Sequence, residues 1–509
     1  MKKFLALLLA LSACCSMVAC GDRSSLVEED GTSGPEEGKT PLYIGVYDGA
    51  VGYEWALQVE KMYEADNPDV DVIVRHQKTR YDDSSLLLQI EYNDEDIYFG
   101  SNNSLVNLAK NGLVADLSEI ITEKIYDNNG NLVESGATKS IQDTLWDEWE
   151  SFCKLDNKFY AIPNFMPVAG ITYDADLFED KGYTVPETYD ELITLMNRMV
   201  TDKITPFTVA NSYPYIVDAA LAFYANYEGK NNFLLNSTYN GVDSNLGEIT
   251  LQTAWKLQAQ EGRKAYLQFY YDLAKNRNYA TTSSYGSQTH LNSQDAFILS
   301  QGTDNRIAMI IENSFWEREA KGTFDIQGDI NSAWGFGKRN FKYMIAPVNK
   351  ETDRKTVYCS YPYSYTFVNK NSDQMELAMD FLQYVQSRKA LATYTIYSGC
   401  LRPYDYTFTD EEYAAATPYT RSLIDLTRRD DVDFVTMGAS NEVARNMGSA
   451  NYQDEWANKA TTSYGTHSMP FSAFIAYSGL TVDAYYKGYS TYMSESYYTN
   501  IYKSVYGGK

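Results

Sequence analysis

Few residues of this chain have the types and spacing that catalysis or metal binding requires. Ser151 and Lys154 fit the Ser-x-x-Lys spacing of an activated serine, but the companion motifs Ser-Asp-Asn and Lys-Thr-Gly are absent, so the match is a coincidence. The segment starting at Asp127 has the composition of a calcium loop but lacks its required Gly and Glu positions, and Asn129-Gly130 fits a hairpin turn better. The three histidines share no metal-ligand spacing. We therefore expect a protein that is not an enzyme and that uses neither a metal nor a cofactor.

Charge and composition narrow the classes of partner. The 509 residues carry a formal net charge of −25, and 45 of them are tyrosine. An acidic chain without clustered Lys and Arg is a poor ligand for nucleic acid or for an anionic membrane surface. We expect a globular monomer of at least two domains that binds no nucleic acid.

The first 40 residues predict export and a lipid anchor. Met1–Lys3 is basic and Phe4–Leu11 is apolar, as in a signal peptide, and the apolar run is too short to span a bilayer. Small residues precede Cys20, which resembles a bacterial lipobox. We expect a signal peptide over 1–19, a lipidated Cys20, and a flexible tether over 20–40. The predicted location is the cell surface, anchored to the membrane through the lipid alone; the alternative is a plain signal peptide.

Apolar segments of strand and helix type alternate along the rest of the chain. Leu42–Tyr47 reads as a buried strand, a helix with Trp55 on its apolar face follows, and Val70–Val74 is the next strand. A second series begins near Ala169, in which Thr188 and Glu191 form a capping box. This alternation predicts two α/β units built on parallel sheets. We also expect one long helix over 251–276, a solvated acidic loop over 94–96, and packing of the C-terminal tyrosines 485–497 against the protein.

Five segments occur in an order and spacing that resemble a known family. They are Tyr63–Val72 with its Asn-Pro step, Asp96–Leu117, Lys158–Pro163, Tyr173–Leu192 and Ala308–Trp316. Together they resemble the extracellular solute-binding proteins of carbohydrate ABC importers, which include maltose-binding protein. The resemblance covers roughly residues 41–405. It implies a two-lobed periplasmic-binding-protein fold, type II-like, with hinge-linked α/β lobes and a ligand cleft between them.

The resemblance also implies where the chain crosses between the lobes. Residues 41–165 and 362–410 would form the N-terminal lobe, and residues 166–361 and 411–509 the C-terminal lobe. Cys359 and Cys400 lie near these crossings; they could pair, but three mature cysteines at wide spacing favour free buried thiols.

Candidate ligand-binding residues follow predicted strands or flank the crossings, where ligands of open α/β sheets bind. A sugar has hydroxyl edges and apolar faces, which polar side chains and aromatic rings cover. The candidates are Asp48, Tyr53, Trp55, Asn102, Asn103, Phe165, Trp316, Tyr361, Tyr363 and Arg402. Trp316 stands where the family carries a stacking Trp. Trp55 fits a core position equally well, Asp48 fits a turn, and Asn102 or Asn103 fits a helix N-cap.

The function implied is the binding component of an ABC importer, which captures a carbohydrate, expected to be an oligosaccharide, and presents it to the permease subunits. Two other classes stay open at this point. One is a surface lipoprotein that captures a glycan, a peptide or another polar solute without a transporter. The other is a glycoside hydrolase, which needs two carboxylates about 5–9.5 Å apart.

Overall fold

The computed structural model describes residues 35–77, 90, 95–101, 105–211, 215–360, 364–436 and 459–507. The strands in chain order are β1 Thr40–Tyr47, β2 Val70–Gln77, β3 Ile97–Ser101, β4 Lys154–Leu155, β5 Lys158–Phe159, β6 Ile162–Pro163, β7 Ala169–Asp174, β8 Thr205–Thr208, β9 Gly241–Asp243, β10 Gly247–Ile249, β11 Ile307–Asn313, β12 Phe341–Met344, β13 Lys355–Cys359, β14 Tyr365–Val368, β15 Val432–Thr436, β16 Ala460–Thr462 and β17 Gly465–His467.

The α-helices are numbered in the same way. They are α1 Glu54–Asp66, α2 Leu105–Lys110, α3 Ser118–Thr122, α4 Ile141–Thr144, α5 Asp147–Glu150, α6 Ala175–Lys181, α7 Tyr189–Thr201, α8 Tyr215–Glu228, α9 Lys230–Thr238, α10 Gly262–Lys275, α11 His290–Leu299, α12 Trp316–Glu319, α13 Lys321–Ile330, α14 Met375–Val385, α15 Arg388–Ser398, α16 Asp410–Ala415, α17 Pro418–Thr427, α18 Pro470–Ala476, α19 Val482–Gly488, α20 Ser490–Met493 and α21 Glu495–Tyr506. Short 3-10 helices cover Ala254–Ala259, Thr282–Tyr285 and Ser332–Trp334.

The first lobe is built on a five-stranded sheet of order β2-β1-β3-β14-β6. β1 runs parallel to β2 and to β3, as the alternating pattern predicts. β14 comes from much later in the chain and joins β3 antiparallel, with β6 on its other side. The helices α14 and α15, which follow β14, pack against α1. The chain therefore returns to the first lobe after its long excursion through the second.

The second lobe is built on a four-stranded sheet of order β12-β7-β11-β8. Here β7 runs antiparallel to both β11 and β12, and only β8 and β11 are parallel. The parallel sheet predicted for this lobe is therefore only partly right. The lobe keeps its α/β character because α8 packs on β7, β11 and β13.

Segments that link the lobes are hydrogen-bonded to one another. Met166 N–H donates to the carbonyl of Leu401 at 2.7 Å, and Ser360 N–H donates to the carbonyl of Pro167 at 2.9 Å. Later in the chain, α16 packs on α15 of the first lobe and α17 packs on β12 of the second. The sequence-derived lobe boundaries stay a prediction.

Local sequence signals account for several elements. Thr188 and Glu191 form the reciprocal capping box that begins α7, and Tyr126 bridges Leu132 across the Asn129-Gly130 turn. The long helix predicted over 251–276 is wrong: a 3-10 helix ends at Ala259 and α10 begins at Gly262. Between them Gln260 turns inward, where its amide donates to Asp243 and to the carbonyl of Asn232, both at 2.9 Å.

Two further expectations concern the core. Tyr485 and Tyr489 are buried in the hydrophobic core of the second lobe, which confirms the packing predicted for these two C-terminal tyrosines. Cys153, Cys359 and Cys400 are buried and form no disulfide, as expected. Among the residues described, no helix is both long and apolar enough to cross a membrane.

Candidate binding cleft between the lobes

The loop from β1 to α1 holds the first group of polar candidates. Asp48 follows the carboxyl end of β1, and its Oδ2 lies 2.5 Å from Nε2 of His76 on the neighbouring β2. The ring of Tyr53 stacks on the same imidazole, with centroids 4.1 Å apart. The parallel pairing of β1 with β2 thus fixes Asp48, His76 and Tyr53 as one group at the edge of the first lobe.

Arg318 reaches this loop from the second lobe. It lies on α12, directly after β11, and its guanidinium pairs with the carboxylate of Glu54, the first residue of α1. The Arg318 side chain is only 11% exposed. Burial lowers the pKa of Arg318 from its ordinary value, while Asp325 and Asp48 act in the opposite direction. A charged pair therefore joins the two lobes beside Asp48 and Tyr53.

Gly52 allows this close approach. Its φ is +69°, and a Cβ there would lie 2.6 Å from Oε2 of Glu54 and 2.8 Å from Nε of Arg318. Any side chain would push the ion pair apart in addition to straining the backbone. Oε2 of Glu54 is buried and has no hydrogen-bond partner among the described residues.

Both candidate tryptophans are buried side chains. Trp55 is 1% exposed and packs its ring on Tyr394 and Phe99, with centroids 4.9 and 5.2 Å away. Trp316 is 0% exposed and contacts the rings of Phe341 and Tyr419, at 5.1 and 5.7 Å. In this conformation neither indole has a face open to a ligand, so Trp55 takes the core role and Trp316 does not have the exposed face that stacking requires.

Helix geometry explains why Arg318, which sequence reasoning missed, lies where Trp316 was expected. Residues two apart on an α-helix do not share a face, since each residue turns the side chain by about 100°. With Trp316 packed into the aromatic core, Arg318 points away from that core, and in this structure it contacts Glu54 of the first lobe. The sequence signal that could have pointed to Arg318 is a charged residue two positions after an aromatic residue of the core.

Phe165 and Arg402 lie at the crossings rather than on an open surface. Phe165 is 5% exposed and meets Phe315 edge to face, with centroids 6.2 Å apart. Arg402 is 1% exposed, donates from Nη2 to the carbonyl of Pro163 at 3.0 Å, and lies over the rings of Tyr394 and Tyr404. Arg402 therefore stabilises the end of β6 in this conformation.

The chain matches the model of a known protein family. The family model described as bacterial extracellular solute-binding protein matches residues 49–392, which is more than half of the chain. The chain belongs to this family. Among curated proteins, the multiple sugar-binding protein of Streptococcus mutans is 32% identical over 74 residues, which is 14% of this chain and 18% of that protein.

Solved structures of solute-binding proteins share the two-lobed α/β fold. RafE in complex with raffinose matches with a TM-score of 0.54 and 13% identity, covering 91% of this chain and 100% of RafE. A Listeria monocytogenes ABC substrate-binding protein in complex with cycloalternan gives a TM-score of 0.52 and 16% identity over 92% and 99% of the two chains. A probable secreted solute-binding lipoprotein from Streptomyces coelicolor gives 0.56 and 13% over 90% and 99%.

The remaining candidates of this solute-binding protein lie outside the described residues. Asn102 and Asn103 directly follow β3, and Tyr361 and Tyr363 separate β13 from β14. Cys20 lies before the first described residue. Their roles stay predictions.

A buried polar group at the end of β11 was not foreseen. Glu312 is 2% exposed, and burial, reinforced by the nearby Glu319, raises its pKa well above the ordinary value. Gln294 donates to Glu319 at 2.7 Å, and Nε2 of His290 lies 3.4 Å from the same carboxylate. These residues come from α11, β11 and α12, so no single motif announces them.

Glu317 lies next to Arg318 but points into the protein. It is 3% exposed and accepts a hydrogen bond from the hydroxyl of Thr417 at 2.6 Å. Burial raises the pKa of Glu317 to about 7, against the smaller opposing effects of Thr417 and Arg339. Thr417 is the N-cap residue of α17, so this hydrogen bond links Glu317 to the segment by which the chain re-enters the second lobe.

Proposed function

We propose that this protein binds an oligosaccharide between its lobes and presents it to the permease subunits of an ABC importer. Family membership supports the binding role, and the similar proteins, a multiple sugar-binding protein and RafE in complex with raffinose, favour a carbohydrate. The observation that carries the proposal is the contact of Arg318 with Glu54 across the cleft, beside Asp48 and Tyr53.

The chemistry of this region suits a polyhydroxylated ligand. Carboxylates and a guanidinium can accept from and donate to sugar hydroxyls, and the tyrosine ring can cover an apolar sugar face. Because Asp48 is held by His76, whose ring is stacked on Tyr53, its orientation is set before a ligand arrives.

Binding would act by shifting the lobes towards their closed arrangement. The Arg318–Glu54 pair exists only when the lobes meet, and a ligand that touches both lobes adds contacts to that same state. The permease would then recognise the closed shape. The lipid on Cys20 and the tether over 20–40 would keep the protein at the membrane surface.

A thermal-shift screen of the mature protein with mono- and oligosaccharides tests the ligand class. A true ligand raises the melting temperature as its concentration rises and is recovered unchanged. Asp48→Ala should abolish most of that shift, whereas Ala414→Ser on the exposed face of α16 should keep it. Released sugar would identify a glycoside hydrolase, and stabilisation by peptides alone would reject a carbohydrate.

The anchor is tested separately in the producing cells. The protein should fractionate with membranes and incorporate labelled fatty acid, and Cys20→Ser should release it into the soluble fraction. Unchanged membrane association of Cys20→Ser would contradict the lipid anchor while leaving the binding proposal intact.

A further inference from the structure

The second lobe has a cavity of about 520 Å³ that is separate from the cleft. It is lined by residues of α7, α8 and α10 together with residues 347–349 and 481–483. None of its lining residues belongs to the first lobe or to the group around Arg318. Its volume lies within the range of about 300–1,000 Å³ that is typical of small-molecule sites.

The floor of this outer cavity is apolar and aromatic. Phe223 and Val348 are 1% and 2% exposed, and the ring of Tyr189 meets Phe223 edge to face at 6.2 Å. Tyr227 and Tyr271 add two partly exposed rings to the lining. The partly exposed rings of Tyr227 and Tyr271 match the apolar faces of pyranose units, whereas the buried ring of Phe223 only supports them from below.

The tyrosines that line the cavity are held in position. The hydroxyl of Tyr189 donates to Asp272 at 2.8 Å, and the hydroxyl of Tyr227 donates to Glu261 at 3.2 Å. Their rings therefore lose little conformational freedom when a ligand covers them, which favours binding.

The rim carries both signs of charge and both kinds of hydrogen-bonding group. Lys264 and Asp483 face each other at 3.5 Å, with side chains 46% and 75% exposed. Exposed pairs of this kind contribute little to stability, so each partner can turn to a ligand hydroxyl at small cost. The amide of Gln268 donates to Asp272 at 2.9 Å, and its oxygen can accept from a ligand hydroxyl; Asn349, also in the lining, is bonded to Asp190. With Glu261 the lining holds two carboxylates and one ammonium group, which favours a neutral, hydroxyl-rich ligand over an anion.

We infer that the outer cavity is a second saccharide-binding site, which takes one or two units of a neutral glycan. It lies within one lobe, so its binding does not require closure of the cleft and does not rest on the proposed function.

Isothermal titration with maltohexaose, cellohexaose, chitohexaose and mannohexaose, together with native electrophoresis in gels that contain the matching polysaccharides, tests the inference. Ala265→Trp would fill the cavity from the partly exposed face of α10. Ala265→Trp should weaken one class of glycan binding at least tenfold. It should leave unchanged the binding in the cleft, which is the binding that Asp48→Ala removes. The matched control Ala414→Trp on the exposed face of α16 should bind like the wild type.

A second variant guards against misfolding of Ala265→Trp. Lys264→Ala with Gln268→Ala keeps the cavity open but removes rim contacts, and it should weaken the same class of binding, with an unchanged circular dichroism spectrum. The inference is overturned if both variants bind every glycan like the wild type, or if no glycan binds outside the cleft. If permease subunits retain the wild-type protein but not Ala265→Trp, and glycan binding is the same for both, the cavity is a docking site for a protein partner instead.

Discussion

The cleft and the outer cavity solve the problem of a binding site in different ways. In the cleft, Arg318 of one lobe meets Glu54 of the other, and the Arg318 side chain is 11% exposed in this arrangement of the lobes. The outer cavity lies within one lobe, with its tyrosines already fixed by Asp272 and Glu261. The cleft is therefore coupled to a conformational equilibrium, whereas the cavity is formed before its ligand arrives. Substitutions that remove contacts in the cleft or in the outer cavity should therefore differ in their effects on stability and on saccharide binding.

The largest expected effect is on the aromatic core behind the cleft. Trp316→Ala would leave a hole among Phe297, Phe341 and Tyr419 and should lower the free energy of unfolding by about 3–5 kcal/mol. Urea denaturation measures the loss. Trp316→Phe keeps a ring and should lose much less. If Trp316→Ala unfolds like the wild type but loses saccharide binding, Trp316 contacts the ligand and the structural role assigned to it is wrong.

The next largest effect is a pH dependence of stability, which comes from the buried carboxyl of Glu317 beside the cleft. The pKa of Glu317 is raised from 4.5 to about 7 by burial, so the folded state holds a proton that the unfolded chain releases. The protonated carboxyl stabilises the folded state fully below about pH 4.5. This stabilisation, about 3 kcal/mol in all, is lost as the pH rises through about 7. Glu317→Gln keeps a neutral side chain, so its stability relative to the wild type should grow from pH 5 to pH 8. Parallel stability curves for the two proteins would contradict this assignment.

A smaller effect is expected from the charged pair between the lobes. Arg318→Ala should weaken saccharide binding in the cleft roughly tenfold, which corresponds to about 1.4 kcal/mol, because it removes a contact of the closed state. Lys321→Ala removes an exposed ion pair on the next helix and is the matched control. Glu54→Gln should add little to Arg318→Ala, since the two residues act as one pair. Full additivity in titration calorimetry would show that they act separately, and weaker glycan binding at the outer cavity would contradict its independence.

Local patterns predicted the elements that depend on neighbours in the sequence. The capping box at Thr188 and Glu191 begins α7, and the Asn129-Gly130 turn lies between Tyr126 and Leu132. Both motifs involve residues a few positions apart, whose interaction does not depend on the rest of the fold. The two α/β lobes and the family were predicted for the same reason, since alternating strands and helices and short ordered motifs are local features.

Predictions failed where a residue's surroundings come from distant parts of the chain. The acidic loop over 94–96 was expected in solvent, yet Asp96 is 4% exposed, accepts from Tyr43 N–H at 2.8 Å, and accepts from the Ser372 hydroxyl at 2.5 Å. Similarly, the antiparallel entry of β14 into the first sheet joins strands that are more than 260 residues apart. No local pattern encodes such pairings.

The amino-acid sequence by itself indicated two α/β lobes, many of their local elements and the family of this chain, because amphipathic periodicity and short motifs act over a few residues. Tertiary structure alone decided which side of each element meets the cleft. Trp316 and Arg318 are two positions apart, and only the packing of Phe341 and Tyr419 around the indole turns the guanidinium towards Glu54. The orientation of a one-turn helix is set by what it packs against, and those partners lie elsewhere in the chain.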